Sequence, residues 1–133
     1  MNTRRHLLSL LFCLSALSQE PQPASTDLTG TWILLGKPGE TVETPGKDAG
    51  IKVISGNRWL VTQADAKSGE VLVRHGGTFT VSGQEYAEHV EYANASTEQL
   101  VGRTFKFTFK LEGDRLTIIG RGNPWQEVWR RVK

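Results

Sequence analysis

The chain has 133 residues, with 16 Lys plus Arg against 14 Asp plus Glu, one Cys and 38% apolar residues. That length allows one ordinary domain and leaves no room for a second. Fourteen Gly and five Pro, spread among many short apolar runs, favour a turn-rich β protein over a helical one.

Arg4, Arg5 and His6 precede an apolar run over 7–17 that closes on Ala16, Leu17 and Ser18. This is the pattern of a secretory signal peptide covering 1–18. The run is too short to cross ~30 Å of hydrocarbon as a helix, which takes about 20 residues, so a permanent membrane anchor is not expected after cleavage. The stretch from Thr3 to Leu8 also fits a twin-arginine export signal. Cys13 does not suit lipoprotein processing, because Phe12 before it is too large. Cleavage after Ser18 removes Arg4 and Arg5 and leaves 14 basic against 14 acidic residues and no cysteine. A neutral mature chain gives no footprint for nucleic acid, and without disulfides it must rely on core packing. Residues 19–27, with Pro21 and Pro23, read as an extended tether, and 28–133 as the folded domain, secreted or periplasmic.

Within that domain, period-2 alternation interrupted by turn residues places strands at 30–35, 51–54, 58–64, 70–75, 78–81, 85–93, 104–111, 116–120 and 125–132. The clearest is 104–111, with Phe105, Phe107, Phe109 and Leu111 on one face and Thr104, Lys106, Thr108 and Lys110 on the other. Gly76-Gly77 is either a turn or a bend within one long strand. Residues 96–101 carry one helical turn, with Ser96 and Gln99 spaced as a capping box and Gly102 at the stop. Successive hairpins without a long crossover predict an all-β fold, a small up-and-down antiparallel β-barrel of eight to ten strands. The Gly-, Pro- and charge-rich segment 36–50 reads as a solvated loop or a lid over one barrel mouth.

Gly30-Thr31-Trp32 at the first strand and Trp129-Arg130-Arg131-Val132 at the last resemble the calycin pattern of lipocalins, fatty-acid-binding proteins and avidins. In those families a basic residue of the last strand crosses the tryptophan of a G-x-W and closes one end. The resemblance implies that Gly30, Trp32 and Arg131 close this barrel, with the guanidinium over the indole contributing about 0.5 to 2 kcal/mol. Gly76-Gly77-Thr78-Phe79-Thr80, Tyr86-Ala87-Glu88-His89-Val90 and the Glu127 to Val132 end resemble segments of a lipocalin-like domain of unknown function found in secreted bacterial proteins. That resemblance spans roughly 28–132 and implies fold and export but no activity. Phe79 stands where the family has tyrosine.

On the strand 85–93, Tyr86, Glu88, Val90 and Tyr92 share the more apolar face, which puts Glu88 inside the barrel. A buried carboxylate must be protonated, hydrogen-bonded or paired. Arg131, which shares a face with Trp125, Glu127 and Trp129, is the expected partner, with tyrosine hydroxyls and Glu127 assisting. In this phasing all ten aromatics of the mature chain point inward, and they either fill the lumen or line a small pocket. His75 and His89 lack metal-ligand spacing and read as surface histidines. No nucleophile, phosphate or dinucleotide motif is present, and no cofactor or metal is expected.

The leading expectation is an exported lipocalin-like barrel that binds a small, apolar or amphipathic molecule through Trp59, Tyr86, Tyr92, Phe107 and Trp125, oriented by Glu88 and Arg131. Two alternatives stand beside it. One is a filled barrel acting as an envelope interaction or inhibitor module through loops such as 37–49. The other is a small calycin-type lyase or isomerase using Glu88 and Tyr86 as acid and base. Enzymatic activity is the less expected outcome.

Overall fold

A computed structural model describes residues 27–133; the expected signal peptide at 1–18 and the expected tether up to residue 26 lie outside the described residues. Strands β1 (Gly30–Lys37), β2 (Glu40–Thr41), β3 (Ile51–Ser55), β4 (Arg58–Ala64), β5 (Val71–Ser82) and β6 (Glu85–Ala93) are followed by a 3₁₀ helix (Ala95–Leu100). Strands β7 (Thr104–Glu112), β8 (Arg115–Arg121) and β9 (Gln126–Arg131) complete the fold. All pairings are antiparallel, and each strand from β3 to β8 pairs with the next in sequence. β1 pairs with both β3 and β9, so eight strands close into a barrel, while the short β2 hangs on β1 as a hairpin. Among the described residues, closure pairs both sides of each of the eight barrel strands and leaves only the two-residue β2 with an unpaired edge, which is how a meander of this length limits edge-to-edge pairing.

The strand β7 shows why the sequence curls around a core. Phe105, Phe107 and Phe109 alternate as buried residues between exposed neighbours, and burying each contributes about 1.5–3 kcal/mol. They join Trp32, Ile54, Trp59, Tyr86, Val90, Leu116, Ile118 and Trp129 in one interior cluster. One end of the barrel is sealed. Trp32 and Arg131 are direct partners across the β1–β9 seam, so both side chains enter the lumen, and the guanidinium sits 4.6 Å from the indole centroid. Arg131 Nη2 donates to the Asp27 carbonyl at 2.9 Å, and Trp32 Nε1 donates to the Leu28 carbonyl at 2.9 Å. The incoming chain is thereby tied across the closed end.

The segment predicted as strands 70–75 and 78–81 is the single strand β5, kinked at Gly76/Gly77 where β6 contributes one extra residue. A Cβ at Gly77 would collide with the His89 carbonyl, and one at Gly76 with the Trp59 carbonyl and the Tyr92 hydroxyl. Glycine is required there for backbone approach. The extra residue, Glu91, reverses the phase of β6 beyond Val90. Tyr92 therefore lies on the outer face over Gly76, 45% exposed, so the expectation that all ten aromatics point inward fails at this one residue.

The capping box expected at Ser96 and Gln99 does not form. Asn94 holds the N-cap position without a side-chain bond to a helix N–H; its Oδ1 accepts from the Ser96 and Thr97 hydroxyls and from the Arg74 amide, while its Nδ2 donates to the Leu72 carbonyl. Asn94 thus fastens the helix to β5, and Gly102 (φ +85°) turns the chain away from it. Most of the segment 36–50 lies away from the barrel mouth. Arg130 Nη1 donates to the Glu43 carbonyl at 2.9 Å and Val42 N donates to the Leu35 carbonyl at 2.9 Å. Leu35 and Val128 are buried but stand apart from the interior cluster. The segment's first half packs along the outside of the seam, while the Asp48 carbonyl near its end accepts from the Gln63 side chain of β4 at 2.9 Å.

Candidate functional site

The end opposite Trp32 and Arg131 is hollow. A cavity of about 340 Å³ opens there, above the middle layer of the core and below the 3₁₀ helix. Its walls are Leu34, Trp59, Val61, Val73, Val90, Phe105, Phe107, Trp125 and Trp129, with Thr97, Gln99 and Leu100 of the helix at the mouth. Trp125 stacks edge-on against Phe105 with centroids 4.8 Å apart, and Trp59 meets His75 in the same way at 5.5 Å. Of segment 36–50, only Gly50 reaches the lining.

The polar floor is built from three strands. Lys52 enters from β3, Glu88 from β6 and Glu127 from β9. Lys52 Nζ donates to Glu88 Oε1 at 2.6 Å, and the Tyr86 hydroxyl donates to the same oxygen at 2.7 Å. Trp129 Nε1 donates to Glu127 Oε2 at 2.9 Å, and Lys52 Nζ stands 4.0 Å from that oxygen, an ion-pair distance but not a hydrogen bond. The ammonium is also surrounded by rings, 5.0 Å from Trp129, 5.6 Å from Trp59 and 5.7 Å from Tyr86. A cation in such a nest gains from the negative ring faces as well as from the carboxylate.

Burial, together with the Glu88 carboxylate, pushes the Tyr86 phenol well above its usual value. Burial also raises the Glu127 carboxyl and lowers the His75 imidazole, which faces the cavity with Nδ1 3.2 Å from Thr97 Oγ1. His75 therefore departs from its surface reading: it belongs to the inward set of β5 with Val73, and its ring is half-buried.

The residues expected at the site divide accordingly. Trp59, Glu88, Phe107 and Trp125 line the cavity. Tyr86 lies directly beneath, fully buried and bonded to Glu88. Tyr92 is outside for the reason given above. Arg131 is at the closed end and does not pair with Glu88; its charge is met by Trp32, the Asp27 carbonyl and Asp114 at 3.8 Å. The cation that balances Glu88 is Lys52, which sequence reading missed. Ile51 and Val53 look like the inward pair of their strand, yet the two-residue turn after Ser55 sets Ile54 opposite the inward Trp59. Period-2 alternation then carries Lys52 inside with Ile54. That turn was the available signal.

A second concavity lies on the outer surface among Ser82, Gln84, Glu85, Thr108 and Arg121. Its charges are already paired, Arg121 to Glu85 at 2.9 Å. Among the described residues no group of three His, Cys, Asp or Glu is placed to hold a metal ion, and no helix is long and apolar enough to cross a membrane.

A closed meander with one sealed end and one hollow end is a small calycin-like barrel in its architecture. No family model and no curated protein matches the sequence. Among solved structures, an uncharacterized protein from Bacteroides eggerthii DSM 20697 is similar over 80% of this chain and 100% of its own, at 18% identity and a TM-score of 0.53. The likeness is one of fold.

Proposed function

We propose that this chain is an exported lipocalin-like protein that holds one small, largely apolar molecule in the open end of its barrel. The observation that carries the reading is the cavity of about 340 Å³ with aromatic walls over a charged floor. Ligand sites are concave and mostly apolar with a few convergent polar groups, and their volumes begin near ~300 Å³. A filled barrel acting only through its surface would have closed this space with side chains, as it does at the Trp32 end. The lyase or isomerase alternative meets an obstacle in access, because the Tyr86 hydroxyl is fully buried and already spent on Glu88. Export rests on the leader pattern of residues 1–18.

Three of the four tryptophans, Trp59, Trp125 and Trp129, line the cavity, while Trp32 is at the other end. A bound aromatic probe such as 1-naphthol should therefore quench most of the indole emission saturably, and Trp125→Ala should weaken its binding. Native mass spectrometry of protein purified from its own host should show a small adduct that denaturation releases. Absence of both saturable quenching and an adduct overturns the reading.

A further inference from the structure

The three floor charges are not equally presented to the cavity. The side chain of Lys52 is 3% exposed, that of Glu88 8% and that of Glu127 24%. Lys52 and Glu88 neutralise each other at 2.6 Å and show the cavity little of their side chains, which leaves the Glu127 carboxylate as the most exposed floor charge. Its Oε2 is oriented by the Trp129 indole N–H, and no described residue donates to its Oε1. Glu127 also lies between aromatic walls that suit a cation as well as an apolar body.

We propose that the ligand is a small amphipathic amine, its apolar body among Trp59, Phe105, Phe107 and Trp125 and its ammonium on the Glu127 carboxylate. The inference rests on the cavity-binding reading and narrows it to one chemical class. Counting charge supports it. Lys52 faces Glu88 and Glu127, and His75 is held toward its neutral form by burial. The floor as a whole is therefore short of one positive charge, which an ammonium would supply. An anionic ligand would instead have to approach Glu127 with Lys52 already engaged. Burial, and then the Glu88 carboxylate, raise the Glu127 carboxyl against the opposing pull of Lys52 and the Trp129 indole.

The test is calorimetric titration of the mature protein with three matched probes, 3-phenylpropylamine, 3-phenylpropan-1-ol and 3-phenylpropionate, at about pH 7.5, where the amine is cationic. A hydrogen bond to a charged group predicts that the amine binds about 10- to 100-fold tighter than the alcohol, with the carboxylate weakest. Glu127→Gln should bring amine and alcohol together. Equal or tighter binding of the alcohol or carboxylate by the wild type overturns the amine assignment while leaving the cavity reading intact, as does a preference that survives in Glu127→Gln. Binding of none of the three overturns both.

A second arm uses wild-type protein and does not depend on the variant folding. Glu127 takes up its proton ahead of an ordinary glutamate as the pH is lowered in steps from about 7.5 to about 4, which should weaken the amine but not the alcohol. The other groups facing Glu127 are Lys52 on β3, Glu88 and Tyr86 on β6 and, across the cavity, His75 on β5. Protonation of His75 acts in the same direction, so the titration is repeated in His75→Gln. Amine affinity unchanged on acidification in both proteins overturns the proposal.

Discussion

Lys52 and Glu88 are 2% and 6% exposed and meet at 2.6 Å, so the cost of removing either is set by what it leaves behind. Lys52→Met strands a carboxylate among aromatic rings, and Glu88→Gln strands an ammonium; breaking a buried pair in this way costs about 3–5 kcal/mol. The double variant strands neither member of the pair, losing only the longer 4.0 Å approach of Lys52 to Glu127, and the Gln carbonyl can still accept the Tyr86 hydroxyl. In urea unfolding it should cost less than the sum of the singles, by about 1–3 kcal/mol of coupling; strict additivity would show that the two charges do not depend on each other. Glu127 and His75 shape the pH dependence in opposite directions. Burial raises Glu127 in the folded state, so the native chain takes up this proton before the unfolded chain does. Its destabilising effect at neutral pH is relieved as pH falls through the raised value, and is fully relieved below the unfolded value near ~4.3. Burial lowers His75, so stability is lost as pH falls through the unfolded imidazole value near ~6.5 toward the lowered one. Relative to wild type, Glu127→Gln should therefore lose the acid-side gain and His75→Gln the acid-side loss. Thermal melts at a series of pH values measure both.

At the scale of the strand, the bend at Gly76/Gly77 decides which residues see the cavity. It keeps His75 and Val73 on the lumen side and, through the extra Glu91, sends Tyr92 outward. Gly77→Ala forces a methyl against the His89 carbonyl. Overpacking of this kind costs about 1–3 kcal/mol, which for a domain of this size corresponds to roughly 4–20 °C in Tm. An unchanged melting temperature would mean that the bend relaxes freely. The same bend explains where sequence reading fell short. Alternation located the strands, including β7 with its three phenylalanines and β6 as far as Val90, because one buried face leaves a period-2 trace. An inserted residue reverses that trace without altering composition, so Tyr92 could not be placed from the pattern alone. Lys52 was hidden differently. Its strand carries apolar residues on both faces, and the face that matters is chosen by pairing with Trp32 and Trp59, a long-range fact. Asn94, too, acts through a partner 22 residues away.

For the whole molecule, closure and hollowness sit at opposite ends, and this separates stability from binding. The sealed end was readable because Trp32 and Arg131 open and close the chain's strand set, and closing the barrel makes them neighbours. The hollow end was not, since volumes of aromatic side chains alone do not say whether a lumen is full. Arg131→Met removes the guanidinium from the Trp32 face, the bond to the Asp27 carbonyl and the approach to Asp114. Loss of a cation–π contact and one hydrogen bond predicts about 1–3 kcal/mol of destabilisation. The Met stem keeps the end apolar, so the barrel should remain closed. Because none of the Arg131 partners lines the cavity, probe affinity at the open end should stay within about twofold of wild type, as distant sites usually behave independently. Trp125→Ala should do the reverse, since Trp125 is 36% exposed at the rim and its loss opens the cavity with little effect on the core. Combining the two variants should then give additive stability changes and the probe affinity of Trp125→Ala alone. A double variant that binds more weakly than that would show the two ends to be mechanically linked through the β1–β9 seam.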